Sequence, residues 1–201
     1  MDKLLADRIK TGTVGVIPTD TIYGLVGSPF PKQAVKRIYE LKERPTDMPF
    51  IILISNWADL AKLGIKISAK DKNILKKYWP GALSVILPCP AAKFKYLHKG
   101  TKTLAVRWPA KAIKNVKLKI KNEEDFDIIK LLKKTGPMIA TSANIHGRPA
   151  AETITQAKEY FGDKVDFYLD GGKMKSPPST LVRLIGGKME VMRQGEMKVK
   201  N

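Results

Sequence analysis

The sequence predicts an α/β fold: a single domain built on a mixed sheet with flanking helices. Three observations predict it. Short β-rich apolar runs alternate with segments of helical period. The alternation is not a strict strand–helix–strand repeat, which argues for a mixed sheet and against a Rossmann domain. The 201 residues are 43% hydrophobic and carry no Pro/Ser-rich linker and no internal repeat, so one buried core is expected.

Each element has its own signal. Thr13 to Pro18 (TVGVIP) reads as a buried strand that stops at Pro18. Pro31 to Leu41 reads as a helix, with Pro in its first turn and Ala34, Val35, Ile38 and Leu41 on one face. Phe50 to Ile54 reads as the next strand, and Trp57 to Leu63 and Ala69 to Tyr78 as helices, the second stopped by Pro80-Gly81. Leu83 to Leu87 and Thr103 to Val106 read as strands. Asp127 to Lys134 is helical, with Gly136-Pro137 as its stop. Met138 to Ala140 is a short strand and Thr153 to Phe161 a helix. Leu181 to Leu184 and Met189 to Met192, separated by Gly186-Gly187, read as a β-hairpin.

Composition excludes several classes. The only cysteine, Cys89, rules out an intramolecular disulfide and a Cys-based zinc site, and His98 and His146 cannot make a three-histidine site. No protein-bound transition metal is expected. The longest apolar run, Met48 to Ile54, is far short of the roughly 20 residues of a membrane span. The charged N-terminus lacks the apolar stretch of a signal peptide. These features predict a soluble, cytoplasmic chain. It is also strongly basic: 37 Lys and Arg against 19 Asp and Glu give a net charge of +18. Lys93 to Lys121 holds ten Lys/Arg and no acid. Such a block attracts polyanions by counterion release, although a Lys-rich proteome gives basic chains without any special partner.

No Walker A loop and no G-x-G-x-x-G after a strand are present. A nucleotide would therefore be held by side chains and local turns, and four segments suit that task. Pro18 to Leu25 (PTDTIYGL) places hydroxyls at a strand's end, which a capped turn would also explain. Lys42-Glu43-Arg44-Pro45 ends a helix. Its two cations cannot share a helix face, and Pro45 drives Arg44 out of the α region, so an extended chain is expected to aim both into one site. Cations also favour helix C-termini for the macrodipole alone. Ser142 and Asn144, after the Met138 strand, could donate to an anion or simply form a turn. Pro178-Ser179-Thr180 leads into the hairpin that carries Arg193.

PTDTIYGL, LKERP, WPGALSVIL, LAVRWP, TSAN, PSTLVRL and MRQG occur in one order between about Thr11 and Gly195. That series resembles the YrdC/Sua5 family, the L-threonylcarbamoyladenylate synthases. The resemblance implies a twisted α/β sheet around an open basic cavity. It implies that L-threonine, bicarbonate and ATP give L-threonylcarbamoyl-AMP and pyrophosphate, for the N6-threonylcarbamoyladenosine (t6A) modification of tRNA by a downstream threonylcarbamoyl transferase. On the same basis Lys42, Arg44, Ser142 and Asn144 are the expected catalytic set. Thr21, Arg107, Ala140 and Ser179 are expected to bind threonine, and Arg44, Thr103, Ser142, Ala150 and Arg193 ATP. Mg²⁺ is expected to arrive on the triphosphate. Such a transfer needs alignment and charge stabilisation more than a protein nucleophile, and the absence of a Cys-His or Ser-His pair agrees with that.

The chain departs from the pattern in places. Met48 and Leu53 stand where long Sua5-type proteins carry Asn and His. The interval from Arg107 to Ser142 is longer than usual, with a Lys-rich insertion expected at about 110–122, where Val116, Leu118 and Ile120 alternate with Lys. The end soon after Gly195 resembles the short YrdC-type form. Two alternatives stay open: a double-stranded RNA or tRNA binding module without catalysis, and a carbamoyl-transfer domain of the hydrogenase-maturation type.

Overall fold

The computed structural model describes residues 3–110 and 126–199. The lysines expected to form a cationic insertion lie beyond Ala110, outside the described residues. Helix α1 (Lys3–Lys10) leads into β1 (Gly15–Pro18) and β2 (Tyr23–Gly27), followed by α2 (Lys32–Lys42), β3 (Ile51–Leu53), α3 (Ala58–Lys62) and α4 (Ala69–Leu75). Then come β4 (Leu83–Pro88), α5 (Lys95–His98), β5 (Thr103–Arg107), α6 (Ile128–Thr135), β6 (Met138–Ser142), α7 (Ile154–Phe161), β7 (Phe167–Tyr168), β8 (Thr180–Ile185) and β9 (Lys188–Arg193). The strands form one mixed sheet in the order β7-β1-β2-β6-β3-β5-β4-β8-β9. Most neighbours are antiparallel, while β3/β5, β4/β8 and β1/β7 are parallel.

Helices α6 and α7 start where the sequence supplies caps. Asp127 accepts from the amides of Ile129 and Lys130 at 2.8 and 3.2 Å, and Thr153 accepts from that of Gln156 at 3.2 Å. Each satisfies donors the first helical turn cannot pair internally. Gly136, at φ 78°, ends α6.

Alternation along the strands separates two cores. Val16, Leu25, Ile52, Val85, Val106, Ile139 and Val182 enter the larger one, on the face that α2, α3 and α4 help to cover. Ile17, Val26, Leu53, Met138 and Ala140 point to the opposite face, where α1 and α6 bring Ala6, Ile9, Leu131 and Leu132 onto them. These two helices cover only part of that face.

Some elements escape the sequence reading. The PTDTIYGL segment is not a strand end followed by a loop. It is the tip of a hairpin, because Tyr23–Gly27 pairs antiparallel with β1. Glycines 24 and 27 hide this strand from a propensity argument. A Cβ on Gly27 would approach Ile38 at 3.1 Å, so the strand uses glycine to let α2 pack closely. Helix α1 buries only Ala6 and Ile9, too little periodicity to read.

Candidate active site

A cavity of about 440 Å³ opens on the part of the second sheet face that the described helices leave uncovered. Its floor includes Gly24 of β2, Ala140 of β6, Ile51 of β3 and Ala105 of β5. Ile51 pairs with both Ala140 and Ala105, so these three stand in one row across the sheet. Glycine and alanine leave the space above the strands empty where larger side chains would fill it.

The hairpin tip supplies one wall. Thr19 Oγ1 donates to the Ile22 carbonyl at 2.7 Å and fixes the turn. Thr21, 3% exposed, then meets the end of β5: Arg107 donates from Nη1 to Thr21 Oγ1 at 3.2 Å. Asp20 lies on the other side of the guanidinium, with Oδ1 3.0 Å from Arg107 Nη2, and both side chains are almost wholly buried. Asp20 Oδ2 accepts from the amide of Ala110 at 3.2 Å. Arg107 Nε has no hydrogen-bond partner among the described residues. Burial lowers the Arg107 pKa, Asp20 opposes that shift, and Arg193 adds to it.

The end of α2 supplies the second wall. The chain is not extended after Lys42. Glu43 adopts the left-handed conformation at φ 49°, its amide donates to the Glu40 carbonyl and that of Arg44 to the Tyr39 carbonyl, which is a Schellman-type stop. This turn sends the two cations to different places. Arg44 lines the cavity, with Nε donating to the Met48 carbonyl at 3.2 Å and its guanidinium 5.3 Å from the Phe50 ring centroid. Burial lowers the Arg44 pKa against the pull of Tyr39 and Asp47, and Arg193 lowers it further.

Lys42 does not line the cavity. Its side chain runs behind the Ser142–Asn144 loop, and the residue is 1% exposed. The Nζ donates to the Ser142 carbonyl at 2.6 Å, the Asn144 carbonyl at 2.8 Å and Asn144 Oδ1 at 2.9 Å. The Lys42 carbonyl in turn accepts from the amide of His146 at 2.7 Å. Burial, and secondarily Arg44, push the Lys42 pKa down to about 7. Three oxygens ask for three N–H donors, and only the protonated ammonium has them.

The loop after β6 is folded on itself. Ser142 Oγ donates to Asn144 Oδ1 at 2.6 Å, and Asn144 Nδ2 donates to the Arg148 carbonyl. Ser142 therefore spends its hydroxyl proton, and Asn144 one of its two amide protons, inside the loop, where the sequence suggested they would point at an anion. The third wall is the stretch before β8. Ser179, 3% exposed, shares a 2.8 Å hydrogen bond with Ser84 Oγ, and its carbonyl accepts from Arg193 Nη2 at 2.9 Å.

Thr21, Arg44, Arg107, Ala140, Ser142, Asn144, Ala150, Ser179 and Arg193 thus line one cavity. Thr103 does not: it occupies the opposite end of β5 from Arg107, paired with Pro88. Met48 is exposed, and Leu53 is packed in the second core under α1 and α6. Asp20 and Arg148 escaped the sequence reading. Asp20 could have been suspected from a carboxylate among the turn hydroxyls, whereas Arg148 gave no signal beyond following Gly147. Among the described residues, no group of three or more His, Cys, Asp and Glu is placed to hold a metal ion.

The Sua5/YciO/YrdC family model, described as "Telomere recombination", matches residues 7–195. The chain belongs to this family. Among its Sua5/YciO/YrdC relatives, it is 32% identical over 194 residues to the threonylcarbamoyl-AMP synthase of Pyrococcus abyssi (strain GE5 / Orsay), covering 96% of this chain and 53% of that protein. It is 33% identical over 189 residues to a putative threonylcarbamoyl-AMP synthase of Mycobacterium tuberculosis, covering 93% of this chain and 80% of that protein. The chain therefore spans about half the length of the archaeal relative and most of the mycobacterial one. The crystal structure of P. abyssi Sua5 complexed with L-threonine superposes with a TM-score of 0.80 at 32% identity, over 96% of this chain and 53% of that one.

Proposed function

We propose that the chain synthesises L-threonylcarbamoyl-AMP from L-threonine, bicarbonate and ATP, with release of pyrophosphate, for t6A modification of tRNA. The observation that carries this reading is the meeting, in one cavity, of a buried Arg107–Thr21 pair with Arg44, Arg193 and the Ser142–Asn144 loop. The names of the relatives and the threonine held by the P. abyssi protein support the same reading.

The roles follow from placement. Arg107 and Thr21 form the closed end and take the amino acid's carboxylate and hydroxyl. Arg107 enters this task already committed, since Nη1 serves Thr21 and Nη2 faces Asp20. Asp20 fixes its orientation, and Nε is an unpaired donor among the described residues. The amine of threonine attacks the carbon of bicarbonate and a water leaves, giving a carbamate whose oxygen attacks the α-phosphorus of ATP. Negative charge grows on the phosphate oxygens and on the leaving pyrophosphate. Arg44 and Arg193 stand where fixed cations stabilise that charge more in the transition state than in the ground state. Ser142, Asn144 and Ala150 form the nucleotide wall. Lys42 acts behind it, holding the loop's carbonyls in place. Thr103 would meet the nucleotide only if ATP extends along β5 beyond the cavity. Mg²⁺ enters as part of the MgATP substrate and supplies charge neutralisation on the phosphates.

The test is pyrophosphate release by the purified chain with threonine, bicarbonate and ATP, each omitted in turn. Dependence on all three supports the synthase. Turnover of carbamoyl phosphate in place of bicarbonate and threonine would favour the hydrogenase-maturation type. RNA binding with no release of pyrophosphate would favour the binding module.

A further inference from the structure

Four arginine side chains line the cavity, and three are tethered. Arg44 donates to the Met48 and Pro49 carbonyls, Arg107 faces Asp20 and Thr21, and Arg193 donates to the Ser179 carbonyl. The guanidinium of Arg148 has no partner among the described residues, and the residue is exposed at the cavity's open rim.

Its backbone is as constrained as its side chain is free. The Arg148 amide donates to the Ile145 carbonyl at 3.0 Å, and its carbonyl accepts from Asn144 Nδ2. Gly147 makes the turn at φ 80°, and the amide of Ala151 closes the loop on the Ala143 carbonyl at 3.1 Å. Lys42 anchors the same loop from behind. The result is a planar cationic fork on a fixed base, beside a site whose other arginines are already bonded.

We infer that Arg148 is a pyrophosphate-binding residue that grips the β- and γ-phosphates of ATP and releases them as pyrophosphate. The inference rests on the proposed synthase reaction and adds a residue to it. In that step a bond forms between the carbamate oxygen and the α-phosphorus. The bond from the α-phosphorus to the oxygen bridging to the β-phosphate breaks, and pyrophosphate leaves with the electron pair. Attacking and leaving oxygens lie roughly in line on opposite sides of phosphorus. The amino acid is held at the buried Arg107 end, so the leaving group is directed away from it, towards the rim where Arg148 stands. A guanidinium with its N–H donors uncommitted suits a bidentate grip on phosphate.

The experiment is calorimetric binding of inorganic pyrophosphate, with AMP as control ligand, to wild type, Arg148→Ala and Arg148→Lys. The Arg148 guanidinium has no partner among the described residues, so both variants should keep the wild-type melting temperature. Arg148→Ala should weaken pyrophosphate binding about 10- to 100-fold, the range expected for a charge-assisted hydrogen bond. Arg148→Lys should recover part of the loss, and AMP affinity should not change. Unchanged pyrophosphate affinity in Arg148→Ala would overturn the inference. So would an equal loss of AMP affinity, which would place the arginine on the adenylate half. Failure of the wild type to release pyrophosphate in the three-substrate assay would defeat the proposed reaction instead, and Arg148-dependent pyrophosphate binding would survive it.

Discussion

Replacing Lys42 separates a cation that touches substrate from one that holds the site's wall, and the structure says how large each effect should be. In Lys42→Met the stem still packs and three oxygens lose the ammonium, but the Ser142 carbonyl keeps the Asn144 amide and Asn144 Oδ1 keeps Ser142 Oγ, which leaves the Asn144 carbonyl without a donor among the described residues. A buried group left unpaired costs about 1–3 kcal/mol. Against it stands the removal of a costly buried ammonium. The fall of its pKa from 10.5 to about 7 corresponds to a penalty on the order of 5 kcal/mol, at about 1.4 kcal/mol per pH unit. The two oppose each other, and the net change in stability should be close to neutral or stabilising by about 1–4 kcal/mol. Activity has no such compensation. Ser142 and Asn144 lose the anchor that fixes them, and kcat for pyrophosphate release should fall on the order of 10²–10³-fold, as for a lost oxyanion donor. Lys42→Arg is the sharper test. A planar guanidinium cannot replace a tetrahedral ammonium among three oxygens in a position 1% exposed. It should be as inactive as Lys42→Met, with circular dichroism confirming the fold of both. A Lys42→Arg enzyme within about threefold of wild type would refute the buried-anchor reasoning, because a cation facing the phosphates would tolerate that exchange.

Other outcomes follow from the same geometry. Arg44→Ala should lose kcat on the order of 10²–10³-fold in the pyrophosphate assay with little change in melting temperature, since among the described residues the side chain bonds only backbone carbonyls and covers one ring face. Arg107→Ala should abolish threonine binding in calorimetry and leave ATP binding largely intact; Asp20→Asn should weaken threonine binding in the same measurement without affecting ATP. The Lys42 pKa gives a pH signature of two signs. As pH rises through about 7 the amine loses the third donor its oxygens need, so turnover should fall; from about 7 to 10.5 the unfolded chain still holds the proton that folded Lys42 has released, so stability relative to Lys42→Met should rise in denaturation curves. Neutralising Lys114, Lys117, Lys119 and Lys121 should weaken nonspecific tRNA binding and flatten its salt slope by roughly 0.9 for each duplex phosphate the protein no longer neutralises, read by filter binding across salt concentrations, with adenylate synthesis unchanged.

What the sequence discloses here follows the range of the force that decides each feature. Strands β4 and β5 and helix α6 are local: apolar runs, an Asp cap and a glycine stop suffice, and the structure places them within a few residues of expectation. Strand β2 is not local. Gly24 and Gly27 weaken it as a strand, and it exists because its backbone pairs with β1 on one side and β6 on the other. Those glycines then serve non-local ends: one keeps the cavity floor low, the other admits α2. The site divides the same way. Residue types in order along the chain bring Thr21, Arg44, Arg107 and Ser142 to one cavity, because strand ends fix where such residues emerge. The direction of a long side chain is decided by what lies behind the turn that carries it. Pro45 alone suggested that Lys42 and Arg44 would point together. The left-handed Glu43 separates them, and three carbonyl-type oxygens about a hundred residues away in sequence capture the Lys42 ammonium. Asp20 is decided equally far away, by a guanidinium on β5. Short motifs therefore locate the chemistry of this fold, while the division of labour among its cations is a property of tertiary packing.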